Sequence, residues 1–225
     1  MKLRTFQTTE ELIFQSLETL RQVLPKLEEC DGVMLAGGRT PLEIYRRVAA
    51  EKISTRGGLF LSDERYVPVT DPQSNYGTIA PFFPGLGRIK TELPIEEAAR
   101  AFNDDLKQLK NIPLGLLGLG ADGHTASLFN LKDAALRDDR LAIPVGQSRV
   151  SVPLAQNERD ARSTFTGQRI SVTPALLRRI EKIIILATGA EKKEIIQTLL
   201  KKPETIPAGI ALAGHPDVEI WTDTK

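Results

Sequence analysis

A chain of 225 residues that is 41% apolar and 26% charged has the balance of a folded globular protein; this excludes a disordered chain and leaves one large domain or two small ones. Its 30 basic and 29 acidic side chains give a net charge of +1, so no global field draws it to nucleic acid or an anionic membrane, and any anion site must be local. The single cysteine, Cys30, excludes an intrachain disulfide and a cysteine-rich metal site.

The N-terminal MKLRTFQTTEEL has no apolar stretch of the signal-peptide kind. The most apolar run, IPLGLLGLGA, is ten residues long, against about 18–20 for a membrane-spanning helix. A reducing cytoplasm is the expected location. Helical spacing of Leu12, Ile13, Leu17, Leu20, Val23 and Leu24 predicts a helix over 12–24, capped by Thr8 or Thr9. Residues 32–36 read as a buried strand entering the Gly37-Gly38 turn, and 41–50 as a helix with Pro41 in its first turn. A second strand over 59–61 ends in the polar burst Ser62-Asp63-Glu64-Arg65. Residues 71–87, rich in Pro and Gly, are a loop region with room for one short helix. A helix over 94–109 leads to a third strand over 114–119, and 142–145 reads as a fourth. Residues 147–167 are polar and read as an irregular excursion. Then come a helix over 173–180, a β-branched strand over 183–187, a helix over 191–200 after Gly189, and a last strand over 218–221.

Strands alternating with helices predict an α/β fold with a mostly parallel, Rossmann-like sheet. Ligands of such sheets lie beyond the carboxyl ends of the strands. Four polar motifs follow strands: residues 37–40, 63–65, 122–125 and 189–193. In a parallel sheet all four converge on one edge. In "LAGGRTPLEIY", Gly37 and Gly38 allow close backbone approach, the helix start offers free amides, and Arg39 and Thr40 suit a phosphate. The motif is neither a Walker loop nor a GxGxxG fingerprint, and it also reads as an ordinary strand-to-helix turn. In "LSDERYVP…SNYG", Asp63, Glu64 and Arg65 stand at a strand end, where Arg65 suits a substrate oxygen or phosphate; the bland reading is a surface charge cluster.

"GLGADGHTASLF" says most. Gly118, Gly120 and Gly123 crowd one short loop, which points to special backbone angles or close ligand approach. His124 follows; an imidazole, with an ordinary pKa of roughly 6.5, serves as a general base near neutrality. Asp122 is placed to orient it or a water. Arg169 in "GQRISVT" and Lys192 in "ATGAEKK" are candidate substrate cations, each weak alone. His215, beside Pro216, reads as structural. No metal constellation and no GxSxG elbow is present in the sequence.

In order, "LAGGRTPLEIY", "SDERYVPVTDPQSNYG", "GLGADGHTASLF", "QRISVT", "ATGAEKK" and "WTD" resemble the glucosamine-6-phosphate isomerase/6-phosphogluconolactonase family over most of the chain. "DERYVP" and "TASLF" resemble its lactonase branch rather than its deaminases. The resemblance implies a single domain over 1–225, no metal or cofactor, and a sugar-phosphate lactone as the small-molecule partner. The implied reaction is hydrolysis of 6-phosphoglucono-1,5-lactone to 6-phosphogluconate in the pentose phosphate pathway. It places the general base on His124, the glycine-rich loop on Gly37, Gly38 and Thr40, and substrate contacts on Arg65, Arg169 and Lys192. Gly123 of the DGH motif and Asp63 join the substrate-binding set. Nucleic acid and membrane are not expected partners, and a monomer or small homo-oligomer is the expected assembly. Ala36 and Arg39 stand where the family usually has serines, and Asn130 and Gln168 where it usually has prolines. Two other readings of the residues stand beside this one. An amino-sugar phosphate isomerase or deaminase would use Asp63 as its base. A sugar-phosphate-sensing module would bind without turnover, but normally accompanies a DNA-binding segment for which this chain has no room.

Overall fold

Residues 1–146 and 167–224 are described by a computed structural model. In chain order the elements are β1 (Lys2–Thr5), α1 (Thr9–Val23), β2 (Asp31–Leu35), α2 (Arg39–Ala50), β3 (Gly58–Leu61), β4 (Asp63–Arg65), α3 (Asn75–Ile79), α4 (Ile95–Lys107), β5 (Asn111–Gly118), α5 (Leu131–Ala134), β6 (Ala142–Gly146), β7 (Gln168–Val172), α6 (Pro174–Leu177), β8 (Ile180–Leu186), α7 (Lys193–Lys201), α8 (Pro207–Ala211) and β9 (Val218–Thr222). A six-stranded sheet runs β1-β9-β8-β5-β2-β3, every neighbouring pair parallel. A second sheet, β4-β7-β6, is antiparallel. The expected α/β architecture and parallel sheet are present; the second sheet was not anticipated.

Successive strand residues point to opposite faces, and both faces here are buried. Met34, Leu117, Ile183 and Ile185 pack with Phe102 of α4, Ile196 and Leu199 of α7, Ala208 of α8, and Val145 and Ile170 of the second sheet. Val33, Leu35, Leu116, Ile184 and Leu186 pack with Leu12, Leu17 and Leu20 of α1 and Ile44, Tyr45 and Val48 of α2. Thr8, not Thr9, caps α1, its side chain accepting from the Glu11 N–H at 3.1 Å.

Three local expectations are corrected. The helix expected over 173–180 is only α6, because Ile180 already pairs with Ile112 as the start of β8. The polar burst at 63–65, expected as the end of the 59–61 strand, is a strand of its own, β4, paired with β7. The helix expected from 191 begins as a 3-10 turn, and α7 proper starts at Lys193. The excursion expected over 147–167 lies, apart from Gly167, outside the described residues.

The chain leaves β2 for β3 on one side, then returns through α4 to β5 on the other side of β2. The carboxyl ends of β2 and β5 therefore flank a topological switch point, where a crevice opens in sheets of this kind. A buried phenol braces its floor. The Tyr45 hydroxyl donates to the Ala36 carbonyl and accepts from the Ala36 N–H, each at 3.0 Å. Burial pushes that phenol's pKa far above its ordinary value. Tyr45→Phe leaves both backbone groups of Ala36 without this partner, so a loss of about 1–3 kcal/mol in urea unfolding is expected.

Candidate active site

A cleft of about 200 Å³ opens at the switch point, walled by the ends of β2 and β5, by β4 and β7, and by Asn75 of α3. At the β2 exit, Gly37 and Gly38 line it. A Cβ on Gly37 would lie 2.4 Å from Asn75 Oδ1, so this position is glycine because a carboxamide occupies the space. Gly38 has φ +114°, a conformation that favours glycine, and stands at the N-cap of α2. Arg39 and Thr40 lie on the outer side of this turn. They line a neighbouring depression with Gly189 and Asp223, where Thr40 and Thr188 share a hydroxyl–hydroxyl hydrogen bond of 2.7 Å.

β4 brings Asp63 and Arg65 to the cleft. Asp63 is buried; its Oδ1 accepts from the Ser62 hydroxyl at 2.8 Å and its Oδ2 from the Ser127 hydroxyl at 2.6 Å. Arg65 Nη1 donates to the Gln73 carbonyl at 2.6 Å. Arg169 enters from β7, whose register sets it opposite Arg65, and its Nη1 is 3.8 Å from Asp63 Oδ2. Burial lowers the Arg169 pKa from its ordinary value, while Asp63 works to raise it. The Arg169 guanidinium also stands 5.2 Å from the Phe129 ring centre.

The β5 exit holds the histidine. His124 Nδ1 and Asp122 Oδ1 are 2.5 Å apart, and the His124 N–H donates to the same oxygen at 3.2 Å. A carboxylate only accepts, so Nδ1 carries the hydrogen of that bond, and the neutral ring then has its lone pair on Nε2. Burial works to raise the Asp122 carboxyl, but the bonds from His124 outweigh it and hold the group below its ordinary value. The other wall of the imidazole is Phe129, ring centres 4.6 Å apart. The loop itself is fixed by backbone bonds from Gly120 N–H to the His124 carbonyl (2.9 Å) and from Gly123 N–H to the Gly120 carbonyl (3.1 Å). Gly123 has φ +82° and supports the turn from beneath, its carbonyl accepting from Ala208 N–H at 2.8 Å. Lys192 does not line the cleft; its Nζ donates to the Leu119 carbonyl at 2.7 Å and braces the same loop.

Three of the four expected motifs thus meet in one cleft, and the fourth supports it from the β8 end. Sequence reasoning missed Ser62, Asn75, Ser127 and Phe129 among these neighbours, and it named Glu64 at the strand end without its partners in α3. The "SNYG" string stood in the quoted motif, but its contact with Gly37 depends on the fold. Among the described residues, no group of three His, Cys, Asp or Glu side chains could hold a metal ion, and no helix is long and apolar enough to cross a membrane.

The parallel sheet with its polar cleft at a strand-order reversal defines an α/β protein of the ligand-binding, doubly wound kind. A sequence profile for "Glucosamine-6-phosphate isomerases/6-phosphogluconolactonase" matches residues 7–221. The chain is 32% identical over 198 residues to a 6-phosphogluconolactonase of Thermotoga maritima, covering 82% of this chain and 83% of that one. The crystal structure of a 6-phosphogluconolactonase from Thermotoga maritima superposes with a TM-score of 0.79 at 27% identity, covering 99% and 98% of the two chains. A monomeric glucosamine-6-phosphate deaminase shares the fold, with a TM-score of 0.79 at 20% identity over 99% and 97% of the chains. The chain belongs to the glucosamine-6-phosphate isomerase/6-phosphogluconolactonase family.

Proposed function

We propose that this chain hydrolyses the δ-lactone of 6-phosphoglucono-1,5-lactone to 6-phosphogluconate, with His124 as general base. The observation that carries the reading is the His124–Asp122 pair, in a cleft that also holds Arg65 and Arg169. Similarity to lactonases at about one-third identity over most of both chains supports the same reading.

In this mechanism His124 Nε2 takes a proton from water, and the resulting hydroxide adds to the lactone carbonyl carbon. Asp122 stabilises the imidazolium that forms. Negative charge builds on the carbonyl oxygen, where N–H donors or a guanidinium stabilise it. The carbon–ring-oxygen bond then breaks, the imidazolium returns its proton to the leaving alkoxide, and the base is regenerated. The phosphate is held by Arg65, Arg169 and the backbone around Gly37 and Gly38, which turns remote binding energy into orientation. Arg39 and Thr40 shape the start of α2 beside this site, and Lys192 and Gly123 keep the His124 loop in place.

Amino-sugar deamination would need a carboxylate free to take a proton from a sugar carbon. Asp63 is the candidate, but both of its oxygens already accept hydroxyl hydrogen bonds. Purified protein is offered the lactone and glucosamine 6-phosphate in parallel. Accelerated acid formation from the first and no ammonia from the second is expected; the reverse pattern discards the lactonase reading in favour of deamination.

A further inference from the structure

Glu64 is a buried carboxylate, 1% exposed, that no step above uses. Its Oε1 accepts from the N–H groups of Arg65 and Asn75, both at 2.7 Å. Its Oε2 accepts from the Tyr76 N–H at 2.6 Å and the Ser74 hydroxyl at 3.2 Å. Burial pushes the carboxyl pKa up, and the three amides pull against that shift. Four donors and no acceptor suit the charged carboxylate, which presents oxygens in every direction. These bonds join β4 to the first turn of α3, two pieces separated by the nine residues 66–74.

The joint reaches the cleft through its partners. Asn75 Nδ2 donates to the Asp63 carbonyl at 2.9 Å, and its Oδ1 fills the space over Gly37. Arg65 follows Glu64 directly, and its guanidinium is held by Gln73, one residue before the clamped turn. Gly77 completes the turn, since a Cβ there would lie 2.2 Å from the Val69 carbonyl oxygen. The spacing of "SDER" to "SNYG" is thereby explained: a carboxylate in the first receives the amides of the second.

We propose that Glu64 is a positioning residue for the substrate cleft: its carboxylate clamps the start of α3 to β4 and so sets Asn75 and Arg65 at the phosphate end. This rests on the lactonase reading, in which Arg65 and the Gly37 turn hold the phosphate. The test is Glu64→Gln, which keeps the shape but turns one acceptor oxygen into a donor facing donors. KM for the lactone is expected to rise about tenfold while kcat stays within about threefold, as when ground-state and transition-state binding are lost together. In amide hydrogen exchange, Asn75 and Tyr76 are expected to lose protection at least about tenfold, with β5 and β8 unchanged. If Glu64→Gln does not fold, Ser74→Ala removes one clamp bond, keeps the charge, and is expected to raise KM about threefold. A lower melting temperature or kcat with KM unchanged makes Glu64 a stability residue only and overturns the proposal. If the wild type opens no lactone, the functional reading falls separately and the clamp is judged on the amides: unchanged protection at Asn75 and Tyr76 overturns it.

Discussion

Replacing His124 by alanine is expected to lower kcat for lactone opening by about 10²–10⁴-fold, the range for loss of a positioned general base. KM and the fold should stay near wild type. The side chain can be removed cleanly because it does not hold its own loop. Backbone bonds join Gly120 to His124 and Gly123 to Gly120, Thr125 Oγ1 donates to the Gly118 carbonyl, and Ala208 donates to the Gly123 carbonyl. The lost contacts are with Asp122 and Phe129. Steady-state kinetics with a melting curve on the same sample make the check. A folded variant that keeps kcat within about threefold would remove His124 from the base role.

The second large effect is expected at a residue with no side chain. A Cβ on Gly120 would lie 2.2 Å from His124 Nδ1, 2.3 Å from its Cε1 and 2.5 Å from Asp122 Oδ1. Gly120 is not among the positive-φ glycines, so alanine fits the backbone there and the conflict is with the side chains of His124 and Asp122. The ring must turn away and break its bond to Asp122. A displacement of about 1 Å in a reacting group costs on the order of 10²-fold, so Gly120→Ala should lose about that much kcat without losing the fold. Gly85→Ala is the matched control: nothing lies within 4 Å of the added carbon, and no change is expected. Wild-type kcat in Gly120→Ala would show that the imidazole need not sit where the Asp122 contact places it.

The parts of this protein that were legible in its sequence are those written in local pattern. β2, β5 and β8 are apolar on both faces because both faces are buried, and such runs stand out against polar turns. The Asp122–His124 pair was legible because the partners are two residues apart in one loop. β1 was not, since all four of its residues are exposed and it is held by pairing with β9 rather than by burial. β7 was hidden by Arg169, a buried charge that interrupts its apolar pattern and answers Asp63 from a different part of the chain. The second sheet joins residues about a hundred positions apart, with Arg65 opposite Arg169, and no local periodicity reports such a pairing. Glu64 read as one member of a charge cluster because its four partners become neighbours only when β4 and α3 meet. Lys192 was read as a candidate substrate cation from its motif; that its ammonium also meets the Leu119 carbonyl was not legible, because only the pairing of β8 beside β5 brings the two near.

The most direct measurement follows the disappearance of freshly generated 6-phosphoglucono-1,5-lactone in the presence of purified wild-type protein, with the uncatalysed opening subtracted. The account predicts rapid, enzyme-proportional loss of the lactone and stoichiometric appearance of 6-phosphogluconate. Loss no faster than the uncatalysed opening, from protein shown to be folded, would contradict it.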